Sequence, residues 1–221
     1  MKENITLKEL IIYQDQYIIA INKPVGVLSQ SDTSDSRSIK EDIESHLKHE
    51  VFILNRIDRP VSGIVIFAKS KKSASKFSDV LKKAQKKYIA ITENKPPDNS
   101  GILENILQKK GNKAFVINDI EKGQIARLKY NYLGQSIKYH YLSIMLETGR
   151  FHQIRTQLAN IACPIMGDVK YGARRGLKDR SIGLHAFEVR FYHPFLYQEI
   201  LINADLPNKK IWDDVKKYLQ N

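Results

Sequence analysis

The sequence predicts an α+β fold, a mixed and largely antiparallel sheet flanked by helices. Three observations carry that expectation. Apolar runs of four to six residues recur with turn residues between them, the pattern of buried strands. Gly101–Glu147 is almost continuously β-like. Four other segments switch to apolar spacings of three and four, the period of a helix with one buried face. No internal repeat or long linker divides the 221 residues, so one domain, 1–221, is expected.

The first elements read as a hairpin. Leu10–Tyr13 and Tyr17–Ile21 are apolar runs joined by Gln14-Asp15-Gln16. The second run leads into Asn22-Lys23-Pro24-Val25-Gly26, a turn expected to hold Lys23 forward. Ser29–Ser38 is rich in Ser and Asp and is expected to be a loop. Ser38-Ile39-Lys40-Glu41 has the form of a capping box, so a helix should start there with Ile39, Ile43 and Leu47 facing inward. Val51–Leu54 and Ile64–Ala68 then read as strands joined through Asn55-Arg56-Ile57-Asp58-Arg59-Pro60-Val61-Ser62-Gly63. That connection offers Asp58 between two arginines on a loop at the end of a sheet.

Ser70 is placed to cap a helix running to about Gln85, with Ala74, Phe77, Leu81 and Ala84 as its apolar stripe. Lys71, Lys72, Lys76, Lys82 and Lys83 fall on its other faces, and a charge run of this kind reads as a solvated face. A strand at Tyr88–Thr92 and a loop over 94–100 follow. Within the β-like stretch, strands are expected near Ala114–Asn118, Ile125–Leu133 and Ile137–Glu147. Turns fall at Gly111-Asn112, Glu121-Lys122-Gly123 and Gly134-Gln135. Arg150–Ala162 returns to helical spacing through Phe151, Ile154, Leu158 and Ile161, with Thr148 as N-cap and Pro164 as stop. Gly183–Phe191 and Glu199–Ile202 read as late strands, and Ile211, Val215 and Leu219 line a final amphipathic helix.

Composition narrows the partners. Hydrophobic residues make up 42% and charged residues 27%, values of a globular protein. No run approaches the ~18 apolar residues of a membrane span. The opening MKENITLKELIIYQD has no apolar signal core with a small-residue cleavage site. Cys163 is the only cysteine, so no intrachain disulfide can form, and a reducing cytoplasm is the expected compartment. Lys plus Arg number 36 against 24 Asp plus Glu, a formal +12. Such a surplus points to a polyanion, nucleic acid first and an anionic membrane surface second.

Few residues invite chemistry by themselves. Asp58 alone reads first as a turn cap neutralised by Arg56 and Arg59. Thr148-Gly149-Arg150-Phe151-His152 at a helix start offers backbone N–H groups, a glycine for close approach and the donors of Arg150 and His152, an anion site in form. Arg155 follows the core position Ile154, at the border of the buried face, where it either reaches an internal carboxylate or snorkels along the surface. Tyr88 enters a strand, with core packing or stacking on a base as its two readings. The six histidines form no short ligand pattern, so no metal is expected. Gly167-Asp168-Val169-Lys170-Tyr171-Gly172 is glycine-flanked but lacks the glycine run that cradles phosphates. No Ser/His/Asp triad stands out, and glycosidase chemistry would need a second positioned carboxylate beside Asp58.

Taken together, five blocks resemble the pseudouridine synthases of the RluA type across nearly the whole chain. They are DQYIIAINKPVGVLSQ, LNRIDRPVSGIVIFAKS, KKYIAITENKPP, ETGRFHQIRTQLANIACPIMGDVKYG and IGLHAFEVRFYHP, in the family's order. The second and fourth are the specific ones, both long and chemically unusual. The resemblance implies a mixed sheet with helices on its flanks and a catalytic cleft across its middle. It implies Asp58 as catalytic aspartate, Arg155 as the arginine paired with it and Tyr88 as the tyrosine near the uracil. Arg56 would contact RNA beside the target nucleotide, and Arg59, Lys23, Arg150, His152 and Ile154 complete the expected substrate-binding set.

The reaction implied is isomerisation of uridine in an rRNA or tRNA stem-loop, with no cofactor or metal, by a monomer. Asn55 and Val61 depart from the His and Thr usual in the family. About ten residues precede the first strand, which reads as the short form without an N-terminal RNA-binding domain. The alternative is an RNA-binding or ribosome-assembly factor of the same fold that has lost catalysis, and the joint presence of Asp58, Arg155 and Tyr88 argues against it. A methyltransferase would need a cofactor loop, and a zinc deaminase ligands, that this sequence does not display.

Overall fold

The computed structural model describes residues 6–31 and 38–219, and the chain divides into two units, Met1–Ala84 with Ala186–Asp205, and Gln85–His185 with Leu206–Asn221. Most of the Ser29–Ser38 loop lies outside the described residues. The fold class is the expected one, α+β, with strands in a mixed sheet and helices flanking them. Among the described residues no helix is long and apolar enough to cross a membrane.

In the first unit a short helix, α1 (Leu7–Leu10), precedes the expected hairpin of β1 (Ile11–Gln14) and β2 (Ile18–Lys23). Asp15 closes that hairpin, its Oδ1 accepting from the Tyr17 and Ile18 N–H groups at 2.6 and 2.8 Å. β2 and the two-residue β3 (Phe52–Ile53) both pair antiparallel with β4 (Ser62–Ala68), which is buried along its whole length. An unbroken apolar run is what a strand covered on both faces requires. β4 neighbours β10 (Leu184–Tyr192), which pairs antiparallel with β11 (Glu199–Asn203).

Two longer helices follow α1 in this unit. α2 (Ile39–Leu47) starts at the expected capping box, the Ser38 N–H donating to Glu41 Oε2 at 3.0 Å. Ile39 and Ile43 are buried and Leu47 half-buried. α3 (Lys71–Lys83) is capped by Ser70, whose Oγ accepts from the Ser73 N–H at 3.1 Å. It sends Phe77 and Leu81 into a core of Ile18, Ile64, Ile66, Phe191 and Ile202. Its predicted end at Gln85 is too late, because Gln85 already opens the next strand.

The second unit orders its strands β5 (Gln85–Thr92), β9 (His140–Leu146), β8 (Gln124–Gln135), β6 (Ser100–Lys110) and β7 (Lys113–Ile117), every neighbouring pair antiparallel. β6 escapes sequence patterning because its apolar residues come as doublets, Ile102-Leu103 and Ile106-Leu107, so the period-two signal is lost. Gly134 lies at a register shift inside β8 and not in a turn. A Cβ there would sit 2.3 Å from the Tyr218 ring. The turn itself is closed by the Ser136 N–H donating to Tyr139 O at 2.8 Å, so Ile137 belongs to it and not to β9. α4 (Gln153–Asn160) and α5 (Lys210–Leu219) complete the unit, with Trp212 beside Val215 as the buried face of α5.

Candidate active site

The Asp58 loop connects β3 to β4 without regular structure from Leu54 to Asp58 and is pinned from below. The Gly26 N–H donates to Arg59 O, and Arg59 Nε donates to Gly26 O, both at 2.8 Å. Ser29 Oγ donates to Ile57 O at 3.0 Å. Inside the loop, the Val61 N–H donates to Asp58 O at 3.0 Å. Ile57 and Val61 are buried, Asp58 is half-buried, and Arg56 and Arg59 are exposed. The carboxylate is thus offered from a short arch anchored on apolar side chains.

Asn55 explains one departure from the family pattern. Its Nδ2 donates to Ile64 O at 3.0 Å and its Oδ1 accepts from the Ile66 N–H at 2.7 Å. A side-chain amide that both donates and accepts extends the β4 ladder just where β3 stops. Val61, the other departure, is 2% exposed, so its missing hydroxyl falls at a position of packing.

Lys23 corrects an expectation. The Asn22–Gly26 turn does not hold it forward: the side chain has no exposed surface. The turn curls over the ammonium, and Nζ donates to Pro24 O and Val27 O, both at 2.9 Å. Burial lowers its pKa from the ordinary 10.5 to about 7, with the Asp58 carboxylate pulling the other way and Arg59 adding to the fall. Lys23, Asp58 and Arg59 therefore share one electrostatic neighbourhood, brought together by the turn after β2 and the loop before β4.

In the second unit α4 begins at Gln153, three residues later than the spacing suggested for its first turn. His152 is its N-cap, at a positive φ of 53°. Thr148 serves the neighbouring strand instead. Its Oγ1 accepts from the Arg127 N–H and donates to Gln153 Oε1, both at 2.8 Å. Gln153 Oε1 also accepts from the Arg150 N–H at 2.9 Å, and Arg150 Nε donates to Ile125 O at 2.9 Å. Two donors of that expected anion site, the Arg150 N–H and Nε, are thus engaged within the protein, while the Arg150 side chain is exposed.

Nor is α4 amphipathic in the expected way. Gln153 through Leu158 are all buried, Ile154 among them at 4% exposure. Arg155, 5% exposed, does not snorkel. Its Nε donates to Asp168 Oδ2 at 2.7 Å and its Nη2 to Asp168 Oδ1 at 2.8 Å. The guanidinium carbon stands 4.9 Å from the centre of the Tyr171 ring. The Tyr171 hydroxyl in turn accepts from the Ala114 N–H at 2.8 Å and bonds His152 Nδ1 at 2.8 Å. Tyr88 sits on β5 opposite Ile144 of β9 and is half-buried.

The sequence signal for Asp168 and Tyr171 is slight, an acid and a tyrosine three apart between two glycines, and it does not point to Arg155.

Comparison with known proteins points one way. The sequence pattern of a family described as RNA pseudouridylate synthase matches residues 17–160. A ribosomal large subunit pseudouridine synthase C of Rickettsia typhi is 32% identical over 213 residues, covering 91% of this chain and 69% of the relative. A tRNA pseudouridine synthase C of Vibrio parahaemolyticus is 29% identical over 221 residues, covering 89% of each chain. Among solved structures, human RNA pseudouridylate synthase domain containing 4 matches with a TM-score of 0.77 at 22% identity, over 97% of this chain and 94% of its own. At that identity the match speaks for the fold alone.

Proposed function

This chain belongs to the RNA pseudouridylate synthase family, and on that premise we propose that Asp58 is its catalytic aspartate and that its substrate is a uridine in ribosomal or transfer RNA. The chain is an isomerase that converts uridine to pseudouridine within RNA. In that reaction the N1–C1′ bond breaks, the uracil turns in the site, and C5 bonds to C1′. The proton on C5 is lost and N1 gains one, so the product is an isomer of the substrate.

The observation that carries the assignment is the pinned Asp58 loop, with exposed Arg56 and Arg59 beside the carboxylate and a buried lysine within its field. Asp58 has to be ionised whether it bonds to C1′ or removes a sugar proton. The resemblance assigns Arg155 as its counter-ion and Tyr88 to the uracil, and both assignments belong to this proposal. A uridine in a stem or stacked loop must be flipped out before reaction, at a cost of about a few kcal/mol. Exposed arginines on phosphates offset that cost without reading sequence. The choice between ribosomal and transfer RNA rests on the relatives' names, which divide between the two.

Asp58→Asn keeps the side chain's shape and removes its charge. Pseudouridine formation is expected to fall by at least about 10³-fold, with RNA affinity unchanged within about threefold. Turnover near that of the parent enzyme would sink the assignment. Pseudouridine maps of total RNA from cells with and without this gene decide the substrate. A map that does not change would favour a binding factor over an enzyme.

A further inference from the structure

The segment Gly167–Gly172 has no role in the scheme above, yet it makes a buried, bidentate contact with Arg155. We propose that Asp168 and Tyr171 are the positioning residues of Arg155, setting the plane and place of its guanidinium for the reaction. The inference rests on reading Arg155 as part of the active site.

The geometry is that of a clamp. Two parallel N–H···O bonds of 2.7 and 2.8 Å join Arg155 to both oxygens of Asp168. A bidentate fork fixes orientation as well as distance, where a single bond leaves the group free to swivel. The Tyr171 ring covers a face of the same guanidinium at 4.9 Å. That ring is itself tied through its hydroxyl, to the Ala114 N–H on β7 and to His152 at the start of α4. Arg155 is thus referenced to three separately anchored pieces of chain: the Asp168 segment, β7 and the cap of its own helix.

Local backbone structure explains how one short segment supplies both groups. Gly167 and Gly172 take positive φ values of 82° and 97°, and Val169–Tyr171 form a 3-10 turn between them. The Tyr171 N–H closes on Asp168 O at 2.9 Å. Residues three apart on such a turn lie over one another, so the carboxylate and the ring face the same side. The segment is held in turn from β5: the Met166 N–H donates to Ile91 O at 2.8 Å, and the Ile91 N–H to Gly183 O at 2.7 Å.

Stability alone is a weak reason for such a pair. Asp168 is 2% exposed and Arg155 5%, so both charges lose their water, and apolar residues of equal volume often serve a fold as well or better. A pair kept at that cost is suited to hold a cation in one place.

The test uses the full chain and measures single-turnover pseudouridine formation at saturating RNA, RNA affinity and thermal melting. Asp168→Asn is expected to slow the single-turnover rate about 100-fold, the scale of a misplacement near 1 Å. Its RNA affinity should stay within about threefold of the parent. Tyr171→Phe keeps the ring, loses its two tethers and is expected to slow the same step about tenfold. A merely structural role would lower the melting temperature of both variants and leave the rate per folded molecule unchanged. A parental rate in folded Asp168→Asn therefore overturns the proposal. Should that variant not fold, a parental rate in Tyr171→Phe overturns it. Asp58→Asn run in parallel separates the two readings. If it turns over, the active-site assignment itself has failed. If it is inactive while Asp168→Asn is normal, only the positioning role is lost.

Discussion

An ammonium with no solvent exposure must be satisfied by its surroundings, and Lys23 is satisfied by two carbonyls of its own turn. The consequence appears as a pH dependence. Its folded pKa of about 7 lies below the ordinary 10.5. Between those values the unfolded chain binds a proton that the folded chain does not, so stability contributed by this group rises with pH across that window. Lys23→Met has no such group. The parent's melting temperature is therefore expected to gain on that of Lys23→Met as pH is raised from about 7 to about 10. A gap that stays constant with pH would show that Lys23 titrates normally.

Elements here are shaped by what they pack against as much as by their own spacing. β4 was legible because both faces are buried and every residue of its core run is apolar. α4 was placed correctly but begun too early, because polar Gln153, Arg155, Thr156 and Gln157 are buried by hydrogen bonding and leave no solvent face to read. Gly63, at the start of β4, carries a constraint that lies between elements. Its φ is 112°, and a Cβ there would stand 2.2 Å from Ala186 O on β10. Backbone cannot give way as the end of a side chain can. Gly63→Ala is expected to destabilise the fold by about 3 kcal/mol or more, measured by urea unfolding. A loss under about 1 kcal/mol would mean that β4 and β10 separate easily.

For the molecule as a whole, the formal +12 charge sets a background attraction for RNA, and the question is which cations take part. The slope of log affinity against log salt should be about 0.7 for each phosphate neutralised on a single strand. Lys72, Lys76 and Lys83 are exposed on α3, the run read from sequence as a solvated face. Replacing all three with Gln is expected to leave that slope unchanged. A fall of about 0.7 per lysine would instead make α3 part of the RNA surface.

Local chemistry was enough to specify the fold class, the hairpin, the capping box and the Asp58 loop. Each depends on residues adjacent in sequence, whose turn, cap and periodicity signals survive without their partners. The family blocks carried the activity for the same reason, being contiguous strings. Burial of Lys23 and the Asp168–Arg155–Tyr171 clamp could be seen only in the folded chain. A charge enters a core only when carbonyls, a carboxylate or a ring arrive from elsewhere to receive it, and nothing in a residue's immediate neighbours announces that arrival.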